Sequence, residues 1–163
     1  MRFGYYNYIH IIKSKETPQE LGRIAQDIVA IDLKLCGHNI REDNFIGRSD
    51  IESEFNEIRF VFEVKSGRVE LNTKDVKDKL ASRVGEKRLV FCDFAFPTKL
   101  YVLKITDDLP DNLVIPCSKR YEDRELSKVM NDKLPSAIKK YWDFYNKGSA
   151  KIARKFVEDF LFQ

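Results

Sequence analysis

Apolar and polar residues alternate with a period of two along Ile58–Ser66: Phe60, Phe62 and Val64 form one set, Arg59, Val61, Glu63 and Lys65 the other. That period marks a strand, with the aromatic set turned to the core and Glu63 and Lys65 sharing the other face. Residues 50–55 alternate as well, and Asn56-Glu57 suits a turn, so the two runs predict an antiparallel hairpin that returns Asp50 to Glu63. Upstream, Thr17-Pro18-Gln19-Glu20 is a helix start, with a capping threonine, a proline in the first turn and a capping-box glutamate. Leu21, Ile24, Ala25, Ile28, Ile31 and Leu35 continue it as an apolar stripe that Gly37 can end. The opening run 5–12 is expected as a strand or extended arm, and a short strand is expected near 38–45. A helix is predicted over 73–84, with Val76, Leu80 and Val84 inward and Gly85 as its stop. Residues 88–94 and 99–105 read as two strands joined by a turn at 96–98. After a loop at 107–112 the pattern is helical, over about 120–130, 136–145 and 149–161.

Composition narrows the class. The chain has 163 residues, 43% of them hydrophobic, which suits one folded domain with a sizeable core. The net charge of +3 is mild, but its distribution is uneven. Arg41, Arg48, Arg59, Lys65, Arg68, Lys74, Lys77 and Lys79 surround the acid pair, and a basic rim around an acidic centre suits a polyanion approaching a metal. A second basic set lies at 139–155, where solvation of helix faces explains it equally well. Cys36, Cys92 and Cys117 are too widely spaced for a zinc site or a disulfide framework and fit a reducing cytoplasm. Cys36-Gly37-His38 lacks a second ligand pair and reads as a thiol at a helix end. Two histidines argue against a histidine-based hydrolase, and no Walker loop, nucleophile elbow or dinucleotide fingerprint implies a nucleotide cofactor. There is no long apolar run for a signal peptide or membrane span.

The candidate chemistry lies at Asp50, Glu63 and Lys65. Two carboxylates and an ammonium meeting on a rigid sheet offer oxygen ligands for Mg²⁺ or Mn²⁺, with a cation to position water or balance phosphate charge. In a chain that is 34% charged, such a triplet can also be a solvated cluster; Asp32-Leu33-Lys34 and Asp75-Val76-Lys77 have the same spacing inside helical patterns. The triplet at 63–65 differs because it ends an apolar strand and has an acid at hairpin distance.

The predicted core is helix, three strands, helix, two strands, followed by a helical tail. With Asp50, Glu63 and Lys65, this order resembles the PD-(D/E)xK nuclease superfamily, an α/β fold of the restriction-endonuclease type with a mixed central sheet. Gly22-Arg23-Ile24-Ala25, the separation of 13 residues between the acids, and Phe62-Glu63-Val64-Lys65-Ser66 are most similar to archaeal Holliday junction resolvases. The resemblance covers about 18–105 of a single domain and leaves 106–163 as a helical extension. It implies a metal-dependent DNA endonuclease in which Asp50, Glu63 and the Val64 carbonyl bind Mg²⁺ (or Mn²⁺) and Lys65 orients water or stabilises the transition state. Arg48, Arg68 and Lys74 become candidates for flanking phosphates of the DNA. It also implies a homodimer, for which the aromatic N-terminus or the helical tail could supply the interface. Two departures stand out. Ser49 replaces the proline expected before the first acid. Gln26 occupies the position four residues after Gly22 where the resolvases carry a glutamate; it can hold water near the metal but adds no charge. Asp27 lies about 100° further around that helix.

Two other functional classes stay open. One is a nuclease fold that binds DNA and cuts weakly or not at all, which Gln26 favours. The other is a protein-interaction module of a viral or mobile-element assembly, with the acid-lysine cluster as a surface ion pair. In the nuclease readings the protein works at DNA in the cytoplasm, nucleoid-associated or in a host cell.

Overall fold

The computed structural model describes residues 5–45, 50–67, 70–95 and 97–163. Two helices open the chain, α1 (Tyr5–Lys15) and α2 (Pro18–Leu35). The first corrects the expected strand or arm over 5–12. Ile9 and Ile12 are buried on one helix face, and Tyr8 stacks on Trp142 with ring centroids 5.0 Å apart. β-branched and aromatic residues carry only a weak strand preference, which packing of one face overrides. The second helix begins as its sequence dictates: Thr17 Oγ1 accepts the Glu20 N–H at 3.2 Å. It ends at Gly37, whose φ of +98° lets the His38 N–H return to the Leu33 carbonyl at 3.0 Å, a Schellman closure. Its burial is wider than a stripe. All residues from Ile24 to Leu33 are buried, as for a helix covered on every side.

The strand expected near 38–45 shrinks to β1 (Asn39–Ile40) followed by a helical turn, α3 (Glu42–Phe45). There Phe45 is buried with the Arg154 guanidinium 4.1 Å from its ring centroid. Next comes the predicted hairpin, β2 (Asp50–Phe55) and β3 (Ile58–Ser66), with Asp50 opposite Glu63 and Phe55 opposite Ile58. Asn56 (φ 50°) and Glu57 (φ 67°) make the two-residue left-handed turn that matches strand twist. The chain then runs through β4 (Glu70–Asn72), α4 (Thr73–Leu80), β5 (Glu86–Asp93), β6 (Lys99–Lys104), β7 (Asn112–Val114), α5 (Arg124–Tyr145) and α6 (Ala150–Phe162).

The sheet order is β1-β2-β3-β5-β6, antiparallel except for the parallel pair β3–β5, across which α4 makes the connection. Ile51, Phe62, Val90, Cys92, Leu100 and Val102 face one core with α2, α5 and α6. Val61, Leu89, Phe91 and Leu103 face a smaller core with Val76 and Leu80 of α4. The unbroken apolar run 89–92 reflects a strand covered on both faces. The protein is therefore α/β with a five-stranded mixed sheet. The segment after 105 belongs to the same core, since α5 and α6 close over α2 and the sheet. A separate antiparallel pair, β4–β7, pins the 105–111 loop beside α4, where Thr73 Oγ1 donates to the Pro110 carbonyl.

Two helix boundaries depart from expectation. The fourth helix stops at Leu80, and Val84 is 72% exposed rather than inward. Gly85 turns the chain at φ +129°, close enough to the Arg59 carbonyl that a Cβ there would lie 2.8 Å from it. The helices expected over 120–130 and 136–145 are one helix running through Pro135. Proline inside a helix costs about 3 kcal/mol. Burial of Met130, Leu134, Ala137, Ile138 and Tyr141 on both sides of it offsets that cost.

α5 also protects an edge. Asn131 accepts the Leu100 N–H at 2.9 Å and donates to the Leu100 carbonyl at 2.8 Å, while Ser127 Oγ accepts the Val102 N–H at 3.1 Å. These side chains act as a surrogate strand along β6. Asn131→Ala should leave Leu100 backbone groups without partners and cost about 1–3 kcal/mol, readable as a lower urea midpoint at unchanged slope.

Candidate active site

Direct pairing in β2–β3 places Asp50 and Glu63 opposite each other, so both side chains leave the same face of the sheet. Glu52 and Lys65, two residues further along their strands, share that face. Both acids are buried, Glu63 to 2% exposure. Lys65 Nζ lies 3.9 Å from Glu63 Oε1, and Lys79 Nζ, from α4, lies 2.8 Å from Glu63 Oε2. The Lys79 contact has ion-pair distance without hydrogen-bond geometry: Glu63 Oε2 is buried and receives no directed donor. It is charge-compensated but orientationally unsaturated, a state that suits ligation of a cation.

Arg83 completes the arrangement. Its Nη1 pairs with Asp50 Oδ2 and its Nη2 with Glu52 Oε1. Burial pulls the guanidinium pKa down, but the Glu52 and Asp50 carboxylates outweigh it and hold the group above its ordinary value. Arg41 Nε stands 3.8 Å from the other Glu52 oxygen. Among the described residues no three acidic, histidine or cysteine side chains are already gathered to hold one metal ion. The donor chemistry nevertheless fits Mg²⁺ or Mn²⁺: hard carboxylate oxygens on a rigid pair of strands, one of them without a directed donor.

A cleft of about 620 Å³ opens beside this cluster, at the C-terminal ends of the parallel strands β3 and β5. Open α/β sheets bind ligands at such ends. Lys65 and Lys79 line it, together with Lys13 and Leu21 from the first two helices and Phe94 after β5. Lys65 and Lys79 are half-exposed, so their ammonium groups reach both Glu63 and solvent.

The other predicted residues are placed less centrally. Gln26 is buried on α2, which packs against the sheet face that carries Phe62, not the face that carries Glu63. Its neighbour Asp27 pairs with Arg154 of α6; burial pushes Asp27 up to about 7 despite that guanidinium. Lys74 stands exposed at the start of α4, 3.4 Å from Asp78. Arg48 and Arg68 lie outside the described residues, as do Ser49 and Phe96 of the expected turns. Cys36 and His38 make no ligand pair: the Cys36 thiol donates to Asp32 Oδ1 at 3.4 Å, and His38 Nδ1 meets Ser53 Oγ at 2.8 Å. Burial lowers the His38 pKa to about 4, so the ring is neutral at pH 7. In the C-terminal basic set, Lys140 and Lys147 lie over the Phe160 and Phe156 rings, 4.8 and 4.4 Å from their centroids.

Sequence reading missed Arg83. No spacing signal points to it: Arg83 lies three residues past the end of α4, in the turn before Gly85, and reaches the acids of the facing strand only because the helix stops at Leu80. Among the described residues, no helix is long and apolar enough to cross a membrane. No family model, curated protein or solved structure matches this chain.

Proposed function

We propose that the protein is a metal-dependent DNA endonuclease with its active site at Asp50, Glu63 and Lys65. The observation that supports this best is the register: the two acids are direct cross-strand partners, with Lys65 on the same face at the rim of a cleft. Asp50, Glu63 and the Val64 carbonyl would hold Mg²⁺, which when bound supplies a Lewis acid for the scissile phosphate and a lowered pKa for water. Lys65 brings positive charge from the strand to the cleft, where it stabilises the phosphorane-like transition state. Lys79 holds the Glu63 carboxylate in place from α4. The restriction-endonuclease-like identity of the fold, the homodimer and the cytoplasmic location belong to this same reading.

A second reading is favoured by Arg83: a DNA-binding protein of the same fold whose acids are permanently neutralised and which does not cut. A panel of four-way junction, flap, duplex and single-stranded DNA, each with Mg²⁺ and with Mn²⁺, separates the two. Cleavage of any member, lost in chelator, supports the nuclease. Retention on every DNA with no cleavage in either metal selects the second reading.

A further inference from the structure

We propose that Arg83 is a positioning residue that competes with a divalent cation for Asp50, so that the site loads only when the turn at 81–85 releases it. The inference rests on the nuclease reading and adds a control that the acid-lysine motif does not contain.

Three observations carry it. First, one guanidinium bridges two carboxylates of the same strand face, and only 16% of its side chain is exposed. A dication shared by Asp50 and Glu63 would meet this buried positive charge at the same carboxylate, and like charges at such range repel strongly where water is scarce. Occupancy by the metal and by Arg83 is therefore coupled, and the coupling is reciprocal.

Second, the turn that carries Arg83 is otherwise free of burial. Ala81, Ser82, Val84 and Gly85 are all exposed, so apart from the Lys87 ammonium, which donates to the Ala81 carbonyl at 3.3 Å, the guanidinium is what ties the turn to the sheet. Above it the helix ends in a bond from the Arg83 N–H to the Leu80 carbonyl, 3.0 Å. Below it Gly85 passes the Arg59 carbonyl too closely for a Cβ, at a positive φ that only glycine takes easily. The segment between these two points can lift without opening a core.

Third, the neighbouring acids keep counter-charges of their own. When Arg83 leaves, Glu52 keeps Arg41 at 3.8 Å, and Glu63 keeps Lys79 and Lys65. Asp50 is the acid whose ion pair is broken, and Asp50 is the residue that the cation would take.

The test uses Mn²⁺ alone, without DNA, bound to the full chain and followed by electron paramagnetic resonance. Arg83→Gln should tighten Mn²⁺ binding by roughly 5- to 150-fold, and Arg83→Lys should fall between it and the parent. An equal or weaker affinity in folded Arg83→Gln overturns the proposal and leaves the nuclease reading intact. If neither parent nor variant binds Mn²⁺, both fall together. Should Arg83→Gln not fold, the parent decides: Mg²⁺ should shift the Arg83 side-chain N–H resonance over the concentrations that fill the site. A resonance unmoved at saturation overturns the proposal.

Discussion

On the proposed nuclease reading, Glu63→Ala should lower metal-dependent cleavage by at least about 10²–10³-fold while the protein still melts cooperatively. The size follows from the role: Glu63 would hold the ion that stabilises the developing charge, and losing such stabilisation typically costs that much or more. The survival of the fold follows from the neighbours. Glu63 is buried, yet both of its cations are half-exposed, and each can turn to water when the carboxylate is gone. No buried charge is left unpaired, which is the usual reason that breaking an ion pair unfolds a protein. Asp50→Ala should behave alike, because Arg83 keeps Glu52. Lys65→Ala should also abolish cutting, with the smallest change in melting temperature of the three. DNA retention should persist in the acid variants and can tighten, since each removes negative charge near the phosphates. Cleavage by Glu63→Ala at the parental rate would remove the site from consideration.

How much of this is legible in the sequence depends on what kind of force fixes each element. The β2–β3 hairpin can be read residue by residue, because alternation, a two-residue turn and an apolar face all specify one register. The start and end of α2 are equally plain, because Thr17 and Gly37 act through local hydrogen bonds. α1 is not, since what makes 5–15 helical is packing such as Tyr8 against Trp142, a contact between opposite ends of the chain. Pro135 misleads for the same reason: its local penalty is real, but a buried face on both sides of it holds the helix together. The acids and Lys65 declare themselves in the pattern. Arg83 does not, because its reach to Asp50 depends on where α4 stops and how Gly85 turns the chain, neither of which periodicity reports. The β4–β7 pair is silent too; three-residue strands carry too little pattern to declare themselves.

The buried acids away from the site give a prediction of another kind. Asp32 is fully buried within α2, with Oδ1 taking the Cys36 thiol and Oδ2 without any hydrogen-bond partner. Burial pushes its pKa from 3.8 to about 8, against the smaller opposing pulls of the Cys36 hydrogen bond and the Lys133 charge. The sign follows from which state holds the proton. Below the ordinary value both states are protonated; above about 8 neither is. Between them the folded chain keeps a proton that the unfolded chain has released. This group's stability contribution is therefore complete below the unfolded pKa and is lost as pH rises through the window, at no more than about 1.4 kcal/mol per pH unit. An asparagine at this position carries no such proton, and its carbonyl can still accept from Cys36. Asp32→Asn should match or slightly trail its parent at pH 5, where the added amide N–H groups lack acceptors, a cost of about 1–3 kcal/mol that does not vary with pH. By pH 8 it should be the more stable protein. Asp27, which burial also raises, is present in both chains and cancels from the difference. Urea unfolding at pH 5, 6.5 and 8 measures it. Parallel stability curves across that range would mean that Asp32 is ionised in the fold at pH 5, and that the buried oxygen of α2 holds its charge without a partner.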